Sequence, residues 1–373
     1  MKKLLLATLV STLSIGAAHA DGPTVYGKLN VSVDSIKDDL NKGNTTKVDS
    51  NASRFGVKGK EKLTENLSAV YGIEWEVSID GNSGTDLSQR DRFVGLQYDG
   101  VGALKLGRLD SYLKSSQGSV DIFNDFVDGN LDMKKTLAGE DRLNNVIALE
   151  SAKFDLDGFG AVQANLMVAP GEKSVKTGAV GSTGVNSTVS GSGIYTNKDL
   201  GLYTALAYTH NAPVTAAAFS TFKTAPVLPA TATALNIVRW VGSVDLTKAG
   251  MDGLSLNALV QQAEFANEVG FVDAPKETSF LVSSVYKLPA SVIDGVSLKA
   301  QYQQSNTDTG AVDDVKIQQF GGIVDYAYSS KTKVFGYYAK RNLKNPNNPA
   351  VSKDGKDQNY AYSVLGLGME QKF

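Results

Sequence analysis

Apolar and polar positions alternate along this chain in strokes of about ten residues, the period of a strand and not of a helix. In the first stroke Val25, Gly27, Leu29, Val31 and Val33 share one face, and Lys28, Asn30, Ser32 and Asp34 share the other. In the second, from Ser53 to Lys60, Phe55 and Val57 oppose Arg54 and Lys58. Sixteen such stretches start near Thr24, Ala52, Leu67, Arg92, Ala103, Asn145, Ala161, Gly191, Leu202, Leu235, Leu254, Thr278, Val296, Val315, Lys333 and Tyr360. Short turns join them at 64–66, 99–102, 157–160, 197–199, 245–253, 289–295 and 329–331. The other junctions are long and polar, at 35–50, 80–91, 113–144, 170–190, 211–234, 264–277, 305–314 and 341–358. Strict alternation of short and long joints, with both ends of the chain on the short side, is the layout of an even-stranded membrane barrel. The expected fold is therefore all-β: a 16-stranded antiparallel transmembrane β-barrel.

Proline placement fits, because ladder interiors exclude a residue without an N–H. Every proline after Pro23 falls in an expected connection, from Pro170 to Pro349. No stretch after residue 20 has the apolar run of a membrane helix. The final strand ends on a face of Leu365, Leu367, Met369 and Phe373, a terminal aromatic of the kind that barrel-assembly machinery recognises, although Gln371 stands where an aromatic is common. At the other end, Lys2 and Lys3, the apolar stretch Leu4 to Gly16 and Ala18-His19-Ala20 form the pattern of a cleaved secretory signal. Residues 1–20 are thus expected to be a signal peptide, and 21–373 a single β-barrel domain.

Charge and composition narrow the partners. The formal charge is −2, and loss of Lys2 and Lys3 takes it to −4, with no clustered basic excess to suggest a nucleic-acid partner. The 37 glycines, 15 tyrosines and 14 phenylalanines suit a wall with one lipid face and one wet face.

Several short motifs give the chain a family likeness: Tyr26-Gly27-Lys28-Leu29, Ser53-Arg54-Phe55-Gly56-Val57-Lys58-Gly59, Arg92-Phe93-Val94-Gly95-Leu96, Leu106-Gly107-Arg108-Leu109 and the ending Leu367-Gly368-Met369-Glu370-Gln371-Lys372-Phe373. In order and spacing they resemble the Gram-negative general porins, particularly the neisserial and burkholderial type. The resemblance implies a homotrimer in the outer membrane, in contact with lipid and lipopolysaccharide, that passes ions and small hydrophilic solutes. It also implies that the long third loop, 113–144, folds into the lumen opposite a basic wall. On that reading the constriction is built from Lys28, Arg54, Arg92 and Arg108 on the wall and Asp121 and Asp125 on the loop, with Glu150 where many porins carry a base. Period two points Lys28 and Arg54 inward. Arg108 falls in phase with outward Leu104 and Leu106, so only a bulge would re-aim it. Arg90 and Arg92 share that phase problem with Val94 and Leu96. Glu150 in place of a base suggests a modest cation preference.

Enzymatic chemistry has little to work with. There is no cysteine, and the only histidine beyond the signal is His210, so neither a His/Cys metal site nor a Cys/His nucleophile can be assembled. Asp80-Gly81-Asn82-Ser83-Gly84 lacks the later ligands of a calcium loop. No cofactor and no metal are expected. Asp308, Asp313 and Asp314 read as a solvated loop, with bridging of lipopolysaccharide through divalent ions as the alternative. Two other functions stay open at this point: a substrate-specific porin, and a secreted or surface-attached β-rich protein such as an adhesin.

Overall fold

The computed structural model describes residues 22–39, 43–81, 85–171, 187–214, 234–266, 274–308, 314–344 and 359–373. The expected signal peptide and the tips of several long loops, Asp313 among them, lie outside the described residues.

Sixteen antiparallel strands form one closed barrel. In chain order they are β1 (Thr24–Asp38), β2 (Gly43–Ser50 resuming at Arg54–Lys62), β3 (Leu67–Val77), β4 (Leu87–Tyr98), β5 (Gly102–Asp110), β6 (Arg142–Ser151 resuming at Phe154–Asp155), β7 (Ala161–Ala169) and β8 (Thr188–Asn197). They continue with β9 (Leu202–Pro213), β10 (Ala234–Asp245), β11 (Leu254–Phe265), β12 (Lys276–Lys287), β13 (Val296–Asp308), β14 (Val315–Ala327), β15 (Thr332–Lys344) and β16 (Asn359–Lys372). Each strand pairs with its sequence neighbours. The ring closes where β1 pairs with β16, from Lys28↔Lys372 to Asp38↔Tyr362. Closure leaves no unpaired edge, which a lipid environment would not tolerate. The chain ends reinforce the seam, since Gly27 and Phe373 exchange both backbone hydrogen bonds. A Cβ on Gly27 would lie 2.5 Å from the Phe373 ring and from the Arg54 carbonyl, so this close approach requires glycine.

The alternation sorts the two faces. Val94, Leu96, Leu104, Leu106, Leu365 and Leu367 stand exposed on one side. Ser283, Gln301, Gln303, Ser305 and Gln319 are buried on the other. A continuous apolar outer band would promote aggregation in water and is the solvated face in lipid. No helix among the described residues is long and apolar enough to cross a membrane.

The expected strand starts hold within a few residues except at β2, which begins at Gly43 and not near Ala52. Much of the expected loop 35–50 is instead strand, with β1 and β2 paired up to Asp38↔Gly43. β2 breaks at 51–53, where Ala52 takes φ 47° and the Ser53 side chain bonds the Asn30 backbone. That break hides the continuation from a period-two reading. The joints at 245–253 and 289–295 each hold a short helical turn, Leu246–Ala249 and Ala290–Ile293.

Candidate functional site: a charged cavity beside the third long connection

Residues 111–141 link β5 to β6 and coil into short turns. Ser111 caps α1 (Tyr112–Ser115) by accepting from the Lys114 N–H. Leu113, Val120, Phe123, Leu131, Met133 and Leu137 of this segment are fully buried. Their neighbours are the strand side chains that oppose the apolar outer face. Leu113 packs with Ile237 of β10, Phe123 and Phe126 with Phe335 and Tyr337 of β15, and Val120 with Leu259 and Leu281 of β11 and β12.

Polar side chains from the same wall bond the segment backbone. Ser283 donates to Val120 O (2.6 Å), Gln301 accepts from Ile122 N (2.7 Å), Gln319 donates to Leu131 O (2.5 Å), and Arg341 donates to Asn130 O (2.6 Å). The largest anchor is Arg239 of β10, with no exposed surface. It pairs with Glu140 at 2.6 Å and also donates to Leu113 O, Ala138 O and Gln261. Burial pushes the Glu140 carboxyl up to about 7, against the opposing pull of Arg239.

Beside this segment lies a polar cavity of about 410 Å³. Its wall side carries Arg54, Arg90 and Arg142 with Glu76 and Asp110, and its segment side carries Asp125, Asp128 and Lys114. Asp125 crosses to the wall, pairing with Arg54 at 2.5 Å and Lys28 at 3.1 Å. Burial opposes the charge on Asp125, but Arg54, Lys28 and Arg90 outweigh it and hold the carboxyl below its usual value. Arg90 is fixed by Glu74 (2.5 Å) and Glu76 (2.9 Å). Arg142 bonds Asp110 (3.0 Å) and Asp91.

The backbone around Asp125 is strained. Asp125, Val127 and Asp128 have φ of 77°, 55° and 50°, and Val127 is β-branched. Such angles cost on the order of 1–2 kcal/mol each for a residue with a Cβ. They persist because Val127 is fully buried, its N–H donates to Asn51 Oδ1 (2.7 Å), and Asp125 is held by its two cations.

Of the expected site residues, Arg54 and Asp125 line the cavity and Lys28 joins them through Asp125. Arg108 borders it. The ladder does slip between Gly107 and Leu109, but Arg108 stays in register with Arg92 and its guanidinium donates to Asn144. Arg92, Asp121 and Glu150 do not line it. Arg92 sits over the Trp75 ring, 5.7 Å from its centre. Asp121 is a buried tie inside the segment, accepting from the N–H groups of Phe123 and Met133 and from Gln301. Burial, and then Asp132 nearby, raise its carboxyl above the usual range. Glu150 pairs with Lys105 (2.6 Å) near the short-turn end.

Arg90 and Arg142 were missed. A slip in the β3–β4 ladder between Ile73 and Trp75 turns Arg90 to the wet face, which strict alternation denies it. Arg142 begins β6, inside what reads as loop, and its spacing from Asp110 gave no signal.

Comparison with known proteins fits this layout. The Gram-negative porin family model matches residues 7–346. The major outer membrane protein P.IB of Neisseria sicca is 37% identical over 130 residues, covering 32% of this chain and 35% of that protein. The chain spans about a third to just over half of the length of the curated Neisseria relatives it matches. Among solved structures, an anion-selective porin from Comamonas acidovorans superposes with a TM-score of 0.69 at 20% identity, covering 95% of this chain and all of that one. The trimer form of in-vitro folded OmpT from Vibrio cholerae reaches 0.61 at 14%, with 95% and 100% coverage. With a family model spanning nearly the whole barrel, the chain belongs to the Gram-negative porins.

Proposed function

We propose that this protein is an outer-membrane diffusion channel, and not an enzyme, in which residues 111–141 fold into the barrel and narrow it to the charged cavity. The observation that carries this reading is the Arg239–Glu140 pair. A guanidinium and a carboxylate with almost no exposed surface join a strand's wet face to the segment. A segment bonded to that face from β10 round to β15 lies within the ring.

The opening left free is bounded by β2–β6 and by Asp125 and Asp128. Charged groups around a narrow wet opening sort permeants by size and sign. Six cations and seven carboxylates line this one, so the selectivity is weak and leans toward cations. Arg54 and Asp125 pair between wall and segment, while Arg90 and Arg142 pair with carboxylates of their own wall. The resemblance to trimeric neighbours supports a homotrimer set in lipid and lipopolysaccharide, with loops on the outer side.

Purified protein in a planar bilayer tests the reading. Stepwise conductance with a small cation-positive reversal potential under a KCl gradient is expected. Arg54→Ala is expected to enlarge the steps and shift the reversal potential further toward cations. A barrel that inserts without conducting rules the reading out.

A further inference from the structure

Outside the central cavity, the wet face carries two more pockets of opposite sign. The topology fixes which end each occupies. The first, about 470 Å³, lies at the long-loop end. It is lined by Asp49 in the first half of β2 and Asp80 in the connection after β3, with Lys47 as its one cation, and it shares Glu76 and Asp128 with the central cavity. Asp49 Oδ1 meets Lys47 at 2.6 Å, while its buried Oδ2 has no hydrogen-bond partner.

The second pocket, about 640 Å³, lies at the short-turn end. It is lined by Lys58 and Lys60 late in β2, Lys105 early in β5, Gln97, Phe93 and Glu150. Lys105 is matched by Glu150 (2.6 Å) and Lys60 by Asp99 (3.4 Å). Lys58 forms no ion pair among the described residues and lies over the Tyr26 ring at 5.0 Å. The facing wall at this end adds no acidic excess, because Asp325 meets Lys299 (2.5 Å) and Glu370 is shared by Lys333 (3.5 Å), Lys372 (3.5 Å) and Lys28 (3.6 Å).

On β1 the partners of Lys58 and Asp49 are Thr24 and Ser32, so the two lie roughly 26 Å apart along the strand at about 3.3 Å per residue. The charge on the wet face therefore changes sign along the barrel axis.

We infer that the lumen is bipolar, with an acidic outer vestibule and a basic periplasmic vestibule on either side of a nearly neutral narrowing, and that it conducts asymmetrically. The inference rests on the channel reading. When the long-loop side is positive, cations enter through the acidic end and anions through the basic end. Both accumulate in the middle, and the pore conducts well. Reversed polarity drains both from the middle, and the pore conducts less. Fixed charge shapes a pore this way only while the Debye length matches its dimensions, about 30 Å at 0.01 M salt and about 3 Å at 1 M.

Single channels recorded at ±100 mV test this without knowledge of their orientation. In 0.01 M KCl the larger current is expected to exceed the smaller by a factor of roughly two, falling to about one in 1 M KCl as screening sets in. The triple variant Lys58→Gln, Lys60→Gln, Lys105→Gln is expected to lose the asymmetry at 0.01 M. Asp49→Asn with Asp80→Asn is expected to reduce it from the other end. Symmetric currents at 0.01 M overturn the inference while leaving the channel intact. So does an asymmetry that survives in 1 M KCl and in both variants. Absence of any conductance overturns the channel reading itself.

Discussion

Replacing Arg239 by methionine tests how the narrowing is held. Methionine fills much of the volume but donates nothing. Glu140 loses its ion partner, Leu113 O keeps only the Ser116 hydroxyl, and Ala138 O keeps only Gln261. Removing one partner of a buried ion pair costs about 3–5 kcal/mol. The barrel ladder is untouched, so the cost falls on the docking of residues 111–141. An opening free energy lower by that amount raises the open population by roughly 10² to several times 10³-fold. Lys134 and Lys135 lie on this segment, so limited trypsin digestion reads the opening directly. The variant is expected to fold and show heat-modifiable mobility in electrophoresis, to be cut at 134–135 on that faster scale, and to pass larger, noisier currents. A folded variant with wild-type trypsin resistance and wild-type conductance refutes the claim that Arg239 anchors the segment.

Other consequences follow from the same geometry. The Glu140 carboxyl is raised to about 7, so the docking it supports is fullest below the free-carboxylate range and weakens as pH rises through 7; wild-type trypsin cutting is expected to be faster at pH 8.5 than at pH 5. Asp125 has the opposite sign. Its carboxyl is depressed, so its bridge to Arg54 and Lys28 persists until pH falls below the ordinary carboxylate value, and the shift in reversal potential that Asp125→Asn produces is expected to be as large at pH 5 as at pH 7. Asp125→Asn frees two cations, and its reversal potential is expected to move toward anions. Gly27→Val drives a side chain into the Phe373 ring and the Arg54 carbonyl, and refolding into the heat-modifiable form is expected to be several-fold slower or incomplete.

Much of the barrel is legible in the sequence because a two-faced wall writes its period directly into the residues, and because turns must be rich in Asp, Asn and Gly. Asp157 and Gly158, both at positive φ, are such a turn. The reading fails where the ladder slips. One extra residue opposite Ile73–Trp75 reverses the phase of Arg90, and the break at Ala52 conceals the first eight residues of β2. Within residues 111–141 there is no period to read. Asp121 and Asp125 look alike in sequence, four residues apart in one acidic loop. Only the fold makes one a buried tie bonded by backbone N–H groups and the other a bridge to two wall cations.

The central claim is an open, nearly charge-balanced pore, and the zero-current potential of the wild-type protein under a tenfold KCl gradient tests it most directly. The account expects stepwise insertion followed by a small potential of the sign that cations dominate. A potential near the full Nernst limit for either ion contradicts the balance of charge in the narrowing, and membranes that never conduct contradict the pore.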